Sequence, residues 1–205
     1  MVLLQSVGIF VALEWMYFQT GLAAKITQFV LGGSWLIILG GFMLVTWFAS
    51  KTVQNSESPS QHWLALMAFI GAESVILTPM LYLVYQSQGM TILMTACWTT
   101  LAIFSALTFY VFKSKKDFSF LRGAIFWASM SAGVLILFSV LFGLNLGTFF
   151  IVGMIALSGM MILYDTSNIL RYFPEDKPVA AALQLFSSLA MLLYYVLQFF
   201  MSQRD

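Results

Sequence analysis

The sequence predicts an all-α membrane protein with seven transmembrane helices. Two observations carry that expectation. Of its 205 residues, 61% are hydrophobic and only 8% are charged, against roughly 25% charged residues in an ordinary soluble domain. A water-soluble chain of this length could not cover its surface with so few charges. Seven apolar stretches also approach or reach the ~20 residues that a helix needs to cross the hydrocarbon core. They run over 2–18, 27–49, 63–85, 90–112, 120–142, 148–169 and 179–201, read together as one transmembrane domain over 1–205.

The first span is the shortest. Its start, MVLLQSVGIF, lacks the basic n-region of a signal peptide, so it is read as retained, although GLAAK at 21–25 faintly resembles a cleavage site. The second and third spans are separated by SKTVQNSESPSQ at 50–61, rich in helix breakers. The middle connections are short, which favours neighbouring antiparallel helices. RYFPEDKP at 171–178 separates the sixth span from the seventh, and Asp176 stands two residues before Pro178 as an expected cap for the last helix. No internal repeat or low-complexity tract interrupts this order.

Lys and Arg set the expected orientation. One side of a seven-span chain carries Lys51, Lys113, Lys115, Lys116, Arg122, Arg171 and Lys177; the other carries Lys25 and Arg204. The basic side is expected to be cytoplasmic, with the N-terminus inside and the C-terminus outside. A re-entrant last segment would bring the C-terminus inside instead. The aromatic residues Trp15, Tyr17, Trp47, Trp63, Tyr82 and Tyr85 lie near span ends, as an interfacial belt would place them.

Composition excludes several function classes. The net charge of +1 points to no nucleic-acid partner. The single Cys97 rules out an internal disulfide framework. The single His62 rules out a histidine-cluster metal site, and no haem, zinc or dinucleotide motif is present, so neither cofactor nor resident metal is expected.

Three carboxylates fall within the apolar stretches: Glu14, Glu73 and Asp165. A charge facing hydrocarbon is expensive, so each should face water or the bundle interior. Glu14 lies about a turn from the end of the first span and reads as an interfacial carboxylate. Glu73 sits mid-span in FIGAESVILTP, followed by Ser74, Thr78 and Pro79. Proline frees a backbone carbonyl one turn back, near Val75. Two readings of Glu73 stand: part of an ion path with Pro79, or a neutral acid bonded to a neighbouring helix. Asp165 lies about 9 Å of helix rise before Arg171, which places it inside the cytoplasmic mouth. Lys51, Arg122 and Arg171 are its candidate basic neighbours. An ion pair and desolvation pull its protonation in opposite directions, the chemistry of a pH-sensitive latch; a structural helix-end ion pair is the alternative.

The seventh span carries a polar stripe of Gln184, Ser187, Ser188, Tyr194, Tyr195 and Gln198 at helical spacing. Such a face packs against other helices or lines a cavity. Enzyme chemistry is not expected. An intramembrane aspartyl protease needs a second carboxylate on the next helix, and 179–201 has no Asp or Glu. A serine intramembrane protease needs a buried histidine base, and His62 is expected at a loop edge.

Four features carry a resemblance. KKDFSFLRG at 115–123 resembles a basic-Asp-aromatic-Ser-Phe-Leu segment, and LYDTSNIL at 163–170 a carboxylate-Thr-Ser-Asn-Ile pattern. The Thr78-Pro79 step and the ending SQRD complete the set. In order and spacing they resemble the Bax inhibitor (TMBIM) family, and within it the bacterial YccA branch. The resemblance implies six helices around a central seventh. In some bacterial relatives two aspartates on the sixth and seventh helices form a pH-sensing pair that gates a calcium leak. Asp165 stands at the first position and Ser188 at the second, so no proton can be shared between two carboxylates here. Lys51 is the nearest counterpart of the basic residue that holds the first aspartate in those relatives. YccA-type proteins are associated with the membrane AAA protease FtsH as modulators and substrates. The resemblance therefore implies, first, a non-enzymatic modulator of membrane protein quality control. The alternative is a pH-sensitive leak for calcium ions or protons, set by Asp165 with help from Glu73.

Overall fold

The computed structural model describes all residues except 34, 56–57, 175–176 and 204–205, and the side chains of 35, 36 and 54 also lie outside the description. The cap expected of Asp176 falls outside the described residues. Among the described residues seven helical elements follow one another: α1 (Val2–Gln19), α2 (Leu22–Gly32), α3 (Trp35–Asn55), α4 (Pro59–Ser114), α5 (Leu121–Phe142), α6 (Gly147–Arg171) and α7 (Pro178–Ser202). Among the described residues, α1, α4, α5, α6 and α7 are each long and apolar enough to cross a membrane. The chain is an all-α membrane protein.

These helices divide the apolar stretches differently from the sequence reading in one place. The stretch at 27–49 is interrupted. Gly33 adopts an extended conformation (φ −89°, ψ 175°) and ends α2. A Cβ at Gly33 would lie 3.0 Å from the Phe29 carbonyl oxygen, so the chain leaves the helix where only glycine fits without a shift. Beyond the break, residues 37–53 run at 110° to α2. The third and fourth stretches are two helices, as the sequence reading has them, joined without a loop along the 56 residues of α4. A straight helix of that length would rise about 84 Å, nearly three times the ~30 Å core. Gly89 divides it, with φ 80° and ψ 173°. That backbone region is essentially reserved for glycine. Gly89→Ala should therefore cost about 1–3 kcal/mol, read as a lower Tm in detergent. No atom lies within 4 Å of the added Cβ, so the loss would be one of backbone conformation; an unchanged Tm would refute this account.

Packing forms two compact units, Met1–Ser87 with Pro174–Phe186, and Gln88–Phe173 with Ser187–Asp205. In the first, Phe10 and Phe69 both meet Phe186 edge-on, at 5.8 and 6.2 Å between ring centroids. Further along, Phe18 meets Tyr82 and Tyr85 at 6.1 and 5.6 Å. Later residues of α1 thus meet later residues of α4, so α1 runs parallel to the first half of α4. The chain between them, which holds α2 and α3, must cross back. In the second unit, Ala132, Met154, Leu157 and Tyr195 form a buried cluster that joins α5, α6 and α7. Phe150 meets Tyr195 at 6.3 Å, while Asp165 meets Ser188, so α6 and α7 run antiparallel.

Candidate functional site

Each buried carboxylate lies on a stripe that its helix turns away from lipid. On α6 the buried residues Met154, Leu157, Ser158, Ile162 and Asp165 recur at intervals of three or four, one face of a helix. Asp165 is only 5% exposed. Across from it, Ser188 is 1% exposed, and its hydroxyl donates to Asp165 Oδ2. The two positions singled out in the sequence are therefore brought together, with a hydroxyl where a second carboxylate would stand. Next along α6, Thr166 is buried and its hydroxyl has no hydrogen-bond partner.

The end of α6 that carries Asp165 is clamped by the loop between α4 and α5. The Phe118 amide donates to Ser167 Oγ at 3.0 Å. The Arg171 guanidinium donates to the Lys115 carbonyl, at a residue held in the left-handed region with φ 49°. Tyr172 donates its hydroxyl to Asp117 Oδ2 at 2.6 Å, and the Ser119 amide donates to Oδ1 at 2.9 Å. The two motifs KKDFSFLRG and LYDTSNIL thus meet in space. The Tyr172 hydroxyl, then the Ser119 contacts, hold Asp117 at a pKa of about 2, and the same bond raises the Tyr172 phenol.

A lowered pKa in the folded protein means that the contact is complete above the ordinary carboxylate range and is lost only as pH falls through about 2. The clamp should accordingly survive mild acid. Tyr172→Phe removes the largest cause, so Asp117 should titrate closer to the usual ~3.9. Carboxyl-carbon NMR of Asp117 checks this, and an unmoved titration would contradict it.

Glu14 differs from its sequence reading. It is a buried carboxylate, 7% exposed, rather than an interfacial one. Ser74 Oγ donates to its Oε1 at 2.6 Å, and Thr78 Oγ1 lies 3.0 and 3.1 Å from its two oxygens. The hydroxyls that follow Glu73 in the sequence therefore serve Glu14. Glu73 is equally buried, one residue away on α4, and Pro79 beside Thr78 is buried too. The overlooked signal was a four-residue spacing. Ser6, Phe10 and Glu14 form the buried stripe of α1, while Leu4, Val11 and Trp15 are exposed. In a membrane helix the apolar face belongs to lipid, so recurring polar residues mark the buried side.

The remaining basic and histidine positions also resolve. Lys51 belongs to the first unit, and its ammonium lies 4.7 Å from the centroid of the Trp47 ring. Asp165 and Ser188 belong to the second. His62 sits in the first turn of α4, beside the preceding loop as expected, and is buried.

Comparison with known proteins gives the architecture a lineage. A family model described as inhibitor of apoptosis-promoting Bax1 matches residues 1–205. Uncharacterized protein PA2604 of Pseudomonas aeruginosa is 31% identical over 169 residues, 80% of this chain and 72% of that protein. A Golgi anti-apoptotic protein of vaccinia virus (strain Lister) is 28% identical over 175 residues, 83% of this chain and 70% of the viral protein. Uncharacterized protein PM0402 of Pasteurella multocida is 36% identical over 136 residues, 62% of this chain and 57% of that protein. With a match over its whole length, a buried Asp165 on α6 and the clamp joining its two motifs, the chain belongs to the Bax inhibitor family.

Proposed function

We propose that this protein is a non-enzymatic cation leak, for protons or calcium, gated at Asp165. The observation that carries this reading is the hydrogen bond from Ser188 to a carboxylate buried between α6 and α7. A carboxylate held by a hydroxyl is a latch that needs no second aspartate. Separation of α6 and α7 would free a negative charge able to attract a cation. The unpartnered Thr166 hydroxyl beside it offers entering water or an ion a further oxygen. Glu73 and Pro79 in the first unit are the second candidate group. Flux of calcium and protons into liposomes tests the reading, comparing the wild type with Asp165→Asn and Glu73→Gln. Flux above empty liposomes that Asp165→Asn lowers supports it. Wild-type protein as silent as empty liposomes sinks it.

The second reading is a YccA-type modulator that associates with FtsH in a bacterial inner membrane. The observation favouring it is α5, which is exposed along nearly all of its length. Phe126, Trp127 and Phe138 on it are exposed, a surface suited to lateral contact with another membrane protein. The seven-to-two distribution of Lys and Arg supports a cytoplasmic N-terminus and a periplasmic C-terminus. Co-purification with FtsH from membranes tests this reading, and its failure alongside measurable flux would leave the leak alone.

A further inference from the structure

The first unit contains a groove that neither reading uses. It lies between α3 and the start of α4 and has a volume of about 390 Å³, within the ~300–1,000 Å³ typical of small-molecule sites. Leu44, Trp47, Phe48, Leu64 and Ala68 line it, and Thr52 is the one polar side chain on its wall. Trp47, Phe48 and Leu64 are exposed, so the groove opens toward lipid. One end is different. Lys51, a turn beyond Trp47, holds its ammonium over that indole at 4.7 Å. Among the described residues no carboxylate lies against it as an ion pair.

A cation–π contact fixes a lysine head without neutralising it. A lysine near a helix end, with its stem along apolar surface, reaches headgroup level, where tryptophan also settles. An apolar trough thus stands beside one positioned positive charge, held over the Trp47 ring of its wall. We infer that it binds one anionic phospholipid, with an acyl chain in the trough and the headgroup phosphate on Lys51. Charge complementarity selects this occupant. A zwitterionic lipid offers the same phosphate, but its own cation competes with Lys51 for it, so the anionic lipid is preferred, and an apolar helix from another protein would bury the ammonium.

Native mass spectrometry of the full-length protein tests the inference, with phosphatidylglycerol and phosphatidylcholine of identical chains added in detergent. One near-surface lysine should favour the anionic lipid roughly fivefold. Lys51→Ala should abolish that preference, and Lys51→Arg should keep it. Ala68→Trp, at an exposed position in the trough, should reduce retention of both lipids. Equal retention of the two lipids by the wild type would overturn the proposal. So would a preference that survives Lys51→Ala, which would place the headgroup on another basic cluster. So would retention unaffected by Ala68→Trp. Loss of a dimer on Ala68→Trp would assign the groove to a second copy of the chain and refute the lipid site.

Discussion

Replacing Ser188 by alanine is expected to raise cation flux through liposome-reconstituted protein by about tenfold or more. The hydroxyl donates to the buried Asp165 carboxylate, and a hydrogen bond to a charged group is worth about 1.5–3 kcal/mol. In a two-state gate that contact stabilises only the state in which α6 and α7 are joined. Its loss shifts the population toward the open state by its full value, and ~1.4 kcal/mol is a factor of ten. Asp165→Asn should act in the opposite direction. The neutral amide can still accept from Ser188, but it no longer attracts a cation, so flux falls. The contrast in sign distinguishes a carboxylate that both latches and conducts from one that only latches. If both substitutions raise flux alike, Asp165 is a latch alone. If Ser188→Ala leaves flux at the wild-type level, the contact does not gate.

Removal of both hydroxyls around Glu14, in the double substitution Ser74→Ala with Thr78→Val, should destabilise the protein by about 3 kcal/mol or more. The two side chains supply every hydrogen bond seen on that carboxylate, at 2.6 to 3.1 Å. Without them a buried acid keeps its desolvation cost and loses its compensation. Adding Glu14→Leu to the double variant should recover most of the loss, because replacing all partners of a buried polar network by apolar groups is close to neutral. Thermal unfolding in detergent reads both steps. Neighbouring sites of this kind are coupled, so the triple variant should be far more stable than the sum of the separate changes implies. A double variant that unfolds at the wild-type temperature would show that Glu14 is held by something else. A triple variant no better than the double would show that its carboxylate has a further structural role.

The membrane class, the helical fold and the positions of most helices were legible because they rest on local quantities. Charge density and the length of apolar runs are read residue by residue, and a bilayer translates both directly into spans. That Asp165 and Ser188 must be sheltered was also legible, since a carboxylate and a polar stripe stand out against apolar neighbours. One boundary was not. Gly33 is a glycine among several in an apolar run, and what distinguishes it is an extended backbone conformation. Composition does not record a dihedral angle.

What only the tertiary structure decided is which groups meet. Ser74 and Thr78 follow Glu73 in the chain, yet their hydroxyls turn to Glu14, 60 and 64 residues away. Adjacent residues on a helix point about 100° apart, so sequence proximity to Glu73 carried no information about that choice. KKDFSFLRG and LYDTSNIL were recognisable separately, but their union through Ser167, Arg171 and Tyr172 joins positions about fifty residues apart and needs the closed loop to exist. Lys51 shows the same limit. Its charge was evident from the sequence, whereas its position over Trp47 at the end of an apolar groove depends on how α3 packs beside α4. The sequence by itself determined that this chain enters a membrane and which of its polar residues must be sheltered there. Packing decided what shelters each of them, because hydrogen bonds and burial are properties of pairs of helices and not of either helix alone.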